Sequence, residues 1–120
     1  MEMTRLGVVE TRFANLVWTN APMRTRELVE LCQQELNWKR TTTYTVLKKM
    51  CERGIFSLDD KIVTVKIPKD EFHAIQSEQF VSTNFEGSLP AFLAAFTSCQ
   101  KITQKELSQI RQMLDSYEEA

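Results

Sequence analysis

The chain has 120 residues, 42% of them hydrophobic and 26% charged, and a formal net charge of -1. That length fits one ordinary domain or two very small ones, and three Gly and three Pro are too few for a linker-rich or collagenous chain. No apolar run approaches the roughly 18 residues that cross a bilayer, and Met1 to Arg12 holds no apolar signal core, so a cytoplasmic location without membrane insertion is expected.

The first helix is predicted over about Val8 to Thr19. Val9, Phe13, Leu16 and Val17 fall at i, i+4, i+7 and i+8, one helical face. Gly7 can cap it, with Glu10 three residues on, and Asn20-Ala21-Pro22 breaks it. The second helix spans about Thr25 to Leu36, with Leu28, Leu31, Cys32 and Leu36 as its buried stripe. The third runs from about Lys39 to Arg53 and stops at Gly54. Its faces separate well: Thr43, Val46, Leu47, Met50 and Cys51 share an arc of about 140° at 100° per residue. Thr41, Thr42, Thr45, Lys48 and Lys49 share the opposite arc, with Tyr44 at its edge.

Beyond Gly54 the period changes. Ile55 to Leu58 is short and apolar, Asp59-Asp60-Lys61 reads as a turn, and Ile62 to Ile67 alternates and is β-branched. Together they predict a β-hairpin that ends at Pro68. Three more helices follow. The first, from about Lys69 to Thr83, carries Phe72, Ile75, Gln79 and Phe80 on one side. Gly87-Ser88 opens the second, where Pro90 suits the first turn and Leu89, Phe92, Leu93 and Phe96 are apolar. Thr103-Gln104-Lys105-Glu106 is a capping box that opens the last helix, striped by Leu107, Ile110, Leu114 and Tyr117.

Three helices and a hairpin between Val8 and Ile67 outline a winged helix, a helix-turn-helix with a hairpin wing. The expected fold is mainly α with a small hairpin: a winged helix-turn-helix domain over 1–68 and a helical dimerisation region over 69–120. The third helix would read DNA. Its hydroxyl-and-cation face suits a major groove, with threonines reaching phosphates or base edges and Lys48 and Lys49 drawing phosphate. Tyr44 can donate a hydrogen bond to a phosphate. The competing reading is a protein-docking winged helix, in which that face is only solvated.

Charge supports the division. Residues 1–70 hold 12 Lys/Arg against 9 Asp/Glu, whereas residues 71–120 hold 3 against 7, so the near-zero total conceals a mildly basic part and an acidic part. The acidic part has more large apolar groups than three short helices easily bury alone, so either a homodimer covers them or the helices pack back on the winged helix in a monomer. Phe72, Ile75, Phe80, Leu89, Phe92, Leu93, Phe96, Leu107, Ile110 and Leu114 are the candidate dimer contacts, and a two-fold dimer would present two recognition helices to a palindrome. Cys32, Cys51 and Cys99 are an odd, widely spaced set without a Cys-x-x-Cys pair, so small buried apolar residues are expected rather than disulfides or metal ligands. No cofactor is implied. No Ser/His/Asp or Cys/His constellation and no phosphate-binding glycine loop marks an enzyme.

Specific segments resemble a known family. Glu10 to Trp18 resembles its first helix, Arg26-Glu27-Leu28-Val29 its second, and Asn37 to Gly54 its recognition segment. Gly87 to Leu93 and the helix after Thr103 resemble its dimerisation region. This is the penicillinase-repressor family, which includes the methicillin-resistance repressors and copper-responsive repressors. The resemblance implies a bacterial transcriptional repressor, a winged-helix homodimer on a palindromic double-stranded operator with TACA/TGTA-type half-sites. In the β-lactam branch it also implies a membrane sensor metalloprotease system that leads to cleavage of the repressor in its dimerisation helices. Carried over by position, the DNA-reading face falls on Thr41, Thr42, Tyr44, Thr45 and Lys49, with Lys39, Arg40, Lys48 and Lys61 as further DNA contacts.

The chain departs from the family at several points. Arg24 stands where a Ser or Thr often caps the second helix, and Lys39 stands where a small cap often precedes the third. The wing lacks the usual Gly-Arg-like tip and carries Asp59-Asp60, leaving Lys61 as its cation. The candidate cleavage bond aligns with Ala95-Phe96, which keeps the Phe but not the preceding Asn. Only Cys99 stands near the C-terminus, without the paired Cys-x-Cys motifs of the copper branch.

Overall fold

The computed structural model describes residues 6–117; Met1 to Arg5, part of the segment read for a signal core, and the last three residues of the expected dimerisation region lie outside them. The order is α1 (Val8–Asn20), β1 (Met23–Arg24), α2 (Thr25–Leu36), α3 (Arg40–Glu52), β2 (Phe56–Asp59), β3 (Ile62–Val65), α4 (Lys69–Asn84), α5 (Leu89–Cys99) and α6 (Gln104–Ser116). This is a winged helix with a helical C-terminal region.

Helix ends follow local chemistry. The Gly7 and Arg24 peptide N–H groups donate to Glu10 and Glu27 three residues on, at 3.0 and 2.9 Å, which satisfies donors that a helix start leaves open. Asn37 closes α2 with φ 56° and Gly54 closes α3 with φ 80°. The left-handed turn at Gly54 lets the Ile55 N–H reach the Met50 carbonyl at 3.1 Å. Thr103 and Glu106 form the reciprocal box expected at α6, with both bonds at 3.1 Å.

The sheet has three antiparallel strands in the order β1-β3-β2. Leu58 pairs with Val63 and Asp59 with Ile62, leaving Asp60 and Lys61 as a two-residue turn with φ 50° and 63°. Two positive φ values match the right-handed twist of a hairpin. The third strand, β1, was not expected from sequence: Met23 pairs with Val63 and Arg24 with Ile62.

The chain divides into two compact units, one ending at Glu78 and one beginning at Gln79, so the first unit extends ten residues past the 1–68 span expected for it. Phe13, Val17, Leu28, Cys32, Leu47, Met50, Ile55, Phe56, Val63 and Phe72 are fully or almost fully buried in its core. The apolar arc of α3 is confirmed, with Thr43, Leu47 and Met50 buried and Val46 and Cys51 half-buried. Val9, expected on the inner face of α1, is instead half-exposed. Trp18 ties α4 to this unit: its indole N–H donates to the Ile67 carbonyl at 3.0 Å and its ring lies 5.4 Å from Phe72.

Phe72 therefore requires a correction. It shares the stripe of Ile75 and Phe80 in sequence, but it packs on Trp18 with 1% exposure, and a side chain so buried has no surface to offer a second subunit.

In the second unit Phe80, Phe85, Phe92 and Phe96 form a chain of ring contacts with centroids 5.6 to 6.2 Å apart. These are edge-to-face or tilted pairs, the arrangement ring quadrupoles favour. No side chain described in this unit is buried.

Candidate nucleic-acid interface

The outward face of α3 is as the helical wheel places it. Thr41, Thr42, Thr45, Lys48 and Lys49 are exposed, as are Lys39 and Arg40 at its start, and Tyr44 is half-buried. The Thr45 hydroxyl donates to the Thr41 carbonyl at 2.9 Å. Its proton is thereby engaged within the helix, so its oxygen faces out as an acceptor and its methyl as an apolar contact. No acidic residue occupies the first turn of α3, and no side chain caps it. Its leading N–H groups and dipole thus favour an anion.

Tyr44 joins three elements. The Arg40 guanidinium lies 5.5 Å over its ring, and Thr25 at the start of α2 and Lys61 in the hairpin turn line the same concavity. The Thr25 hydroxyl foremost, with the positive charges of Arg40 and Lys61, outweighs the opposing effect of partial burial and holds the phenol below the usual tyrosine range. The Thr25 N–H also donates to the Lys61 carbonyl at 3.0 Å, tying α2 to the hairpin turn.

Between these elements lies a groove of about 650 Å³ lined by Arg24, Thr25, Arg26, Val29, Glu30, Arg40, Tyr44, Leu58 and Lys61. The fold thus brings Arg40, Tyr44 and Lys61 together around one concavity. Thr41, Thr42, Thr45, Lys48 and Lys49 are not among its walls and occupy the convex face of α3. Sequence reasoning missed Arg24 and Arg26. Arg24 registered there only as a departure at a cap, and two exposed arginines at a helix start were the available signal.

Six of the ten expected dimer contacts lie in the open. Ile75, Phe80, Leu89, Leu93, Phe96 and Leu114 are exposed, while Phe92, Leu107 and Ile110 are half-buried. Ala95 and Phe96 sit inside α5, and both are exposed.

The cysteines divide differently from expectation. Cys32 is buried and Cys51 half-buried, but Cys99 is exposed. Burial raises the Cys32 thiol, partly offset by Thr43, and raises Cys51, partly offset by Lys66. Among the described residues no group of three His, Cys, Asp or Glu stands placed to hold a metal ion.

A buried winged-helix core, an exposed threonine-and-lysine helix and a cationic groove beside it fit a DNA-binding transcriptional regulator. The chain matches the family model described as Penicillinase repressor over residues 6–116. It belongs to that family, whose members are DNA-binding repressors rather than enzymes. No curated protein matches the chain. Among the described residues no helix is long and apolar enough to cross a membrane.

Proposed function

We propose that the protein represses transcription as a homodimer on a palindromic operator with TACA/TGTA-type half-sites. The observation that carries this reading is the separation of α3 into a buried arc and an exposed one. Thr43, Leu47 and Met50 lock the helix into the core, while Thr41, Thr42, Thr45 and Lys49 stand free along its length. In this reading the threonines and Tyr44 contact base edges and sugars, and Lys39, Arg40, Lys48, Lys49 and Lys61 contact phosphates.

Dimerisation is supported by the apolar surface of the second unit. Phe80, Leu89 and Phe96 each expose about half of their area, a cost that a second copy removes at about 25 cal/mol per Å² covered. Two linked recognition helices then bind far more tightly than one.

We propose release by proteolysis at Ala95-Phe96, triggered by a membrane sensor metalloprotease system, on the resemblance to the β-lactam branch of the family. Because this bond lies within α5, a protease that needs extended chain would require local opening of the helix. Protein docking without DNA is the alternative. It predicts equal, weak binding to any duplex.

A salt series on a TACA/TGTA palindrome and a scrambled duplex tests the reading. We expect nanomolar-range affinity for the palindrome at low salt, falling steeply as salt rises. Equal affinity for both duplexes would overturn it. An intact repressor after exposure to the activated sensor system would overturn the proteolytic step alone.

A further inference from the structure

The hairpin tip is poorly suited to phosphate. Asp59 and Asp60 are exposed there, and carboxylates repel a duplex carrying one charge per roughly 1.7 Å of axis. The phosphate contact a wing usually supplies must come from elsewhere if binding is to be tight.

The groove beside α3 offers it. Its walls come from three elements: Arg24 and Arg26 from the β1–α2 junction, Arg40 and Tyr44 from α3, and Lys61 from the hairpin turn. Four cations face one carboxylate, Glu30. The frame is tied at its corners. The Thr25 N–H bonds the Lys61 carbonyl, and Arg40 packs on the Tyr44 ring. At the same junction Glu27 accepts the Arg24 N–H and β1 holds its backbone against Ile62. A cationic concavity whose frame is fixed before binding loses little entropy on meeting its ligand. Guanidinium groups match phosphodiester oxygens in geometry as well as charge.

We propose that this groove seats the sugar–phosphate backbone of the bound duplex through Arg24 and Arg26. The main phosphate anchor of this chain then lies at the start of α2, with Lys61 adding to it from the hairpin turn. The proposal rests on the DNA-binding reading of α3 and adds contacts that read no base.

The test measures affinity against salt for the full chain on the palindrome and on a scrambled duplex. It compares Arg24→Gln/Arg26→Gln, Lys49→Ala and the unaltered protein. With two phosphates lost per protomer, the slope of log affinity against log salt should fall by about two per protomer. At low salt, binding to both duplexes should drop in the same proportion, about tenfold or more. Arg24→Lys in the Arg26→Gln background should recover part of the slope, which a folding defect would not permit. An unchanged slope and affinity, beside a clear loss in Lys49→Ala, would overturn the groove and leave the α3 reading standing. Loss of palindrome preference in the arginine variant would also overturn it, by making these residues base readers. If the unaltered protein itself prefers no duplex, the α3 reading fails and the groove proposal falls with it.

Discussion

In the unit that ends at Glu78, Phe13, Leu28, Met50 and Phe56 are wholly buried, whereas in the unit that begins at Gln79, Phe80, Leu89 and Phe96 keep 51%, 54% and 47% of their surface exposed. Both are made largely of short helices, so local propensity does not separate them. The difference lies in closure. Three helices and a three-stranded sheet bury the first core, and Phe72 joins it from α4. Three helices alone leave the aromatic chain of the second unit open along one side. The first unit buries its own core and presents α3; the second leaves apolar surface open, which the proposed dimer would cover.

The strongest way to break that contrast is to damage the closed core. Phe13→Ala removes a fully buried ring that stacks on Trp38 at 5.5 Å, and should cost about 3–5 kcal/mol in denaturant unfolding. A loss below about 1 kcal/mol would mean that the first core is not close-packed. Next in size is Phe96→Asp, which places a charge on the open face. It should dissociate the dimer in sedimentation and weaken operator binding about 100-fold or more, while far-UV circular dichroism stays near the unaltered signal. A dimer that survives would move the interface away from α5.

Smaller effects sharpen the division of labour on α3. Lys49→Ala and Thr45→Ala should each cost about 1–2 kcal/mol of operator binding. The lysine change should weaken all DNA alike, and the threonine change should erode discrimination more. If neither changes binding, the exposed face of α3 is not the reading face. The least effect is expected from thiol chemistry. Under native conditions Cys99 should alkylate first, Cys51 slowly and Cys32 only on unfolding, in the order of their exposure. Early labelling of Cys32 would show that the first core opens readily.

Much of this was legible in the sequence because its signals were local. The bounds of α2, the stop at Gly54 and the Thr103–Glu106 box depend on residues within a few positions of each other. The two arcs of α3 follow from helical period alone. What was hidden depended on distant partners. Met23 and Arg24 show no strand pattern; they become β1 only because Ile62 and Val63 offer an edge. Phe72 shares a stripe with Ile75 and Phe80, and only the position of Trp18 assigns it to the first core. Cys99 carries no sign in its neighbours that α5 leaves it uncovered. Arg24 and Arg26 look like ordinary surface cations until α3 and the hairpin turn complete the groove around them.

We propose that the first unit reads a DNA sequence and that the second doubles it. The most direct measurement is competition binding of the full chain to a TACA/TGTA palindrome against a scrambled duplex of the same length and composition, at fixed salt. The account predicts one dimer per palindrome and a preference of about 1,000-fold or more. Equal binding to both duplexes, or saturation by a single protomer, would contradict it.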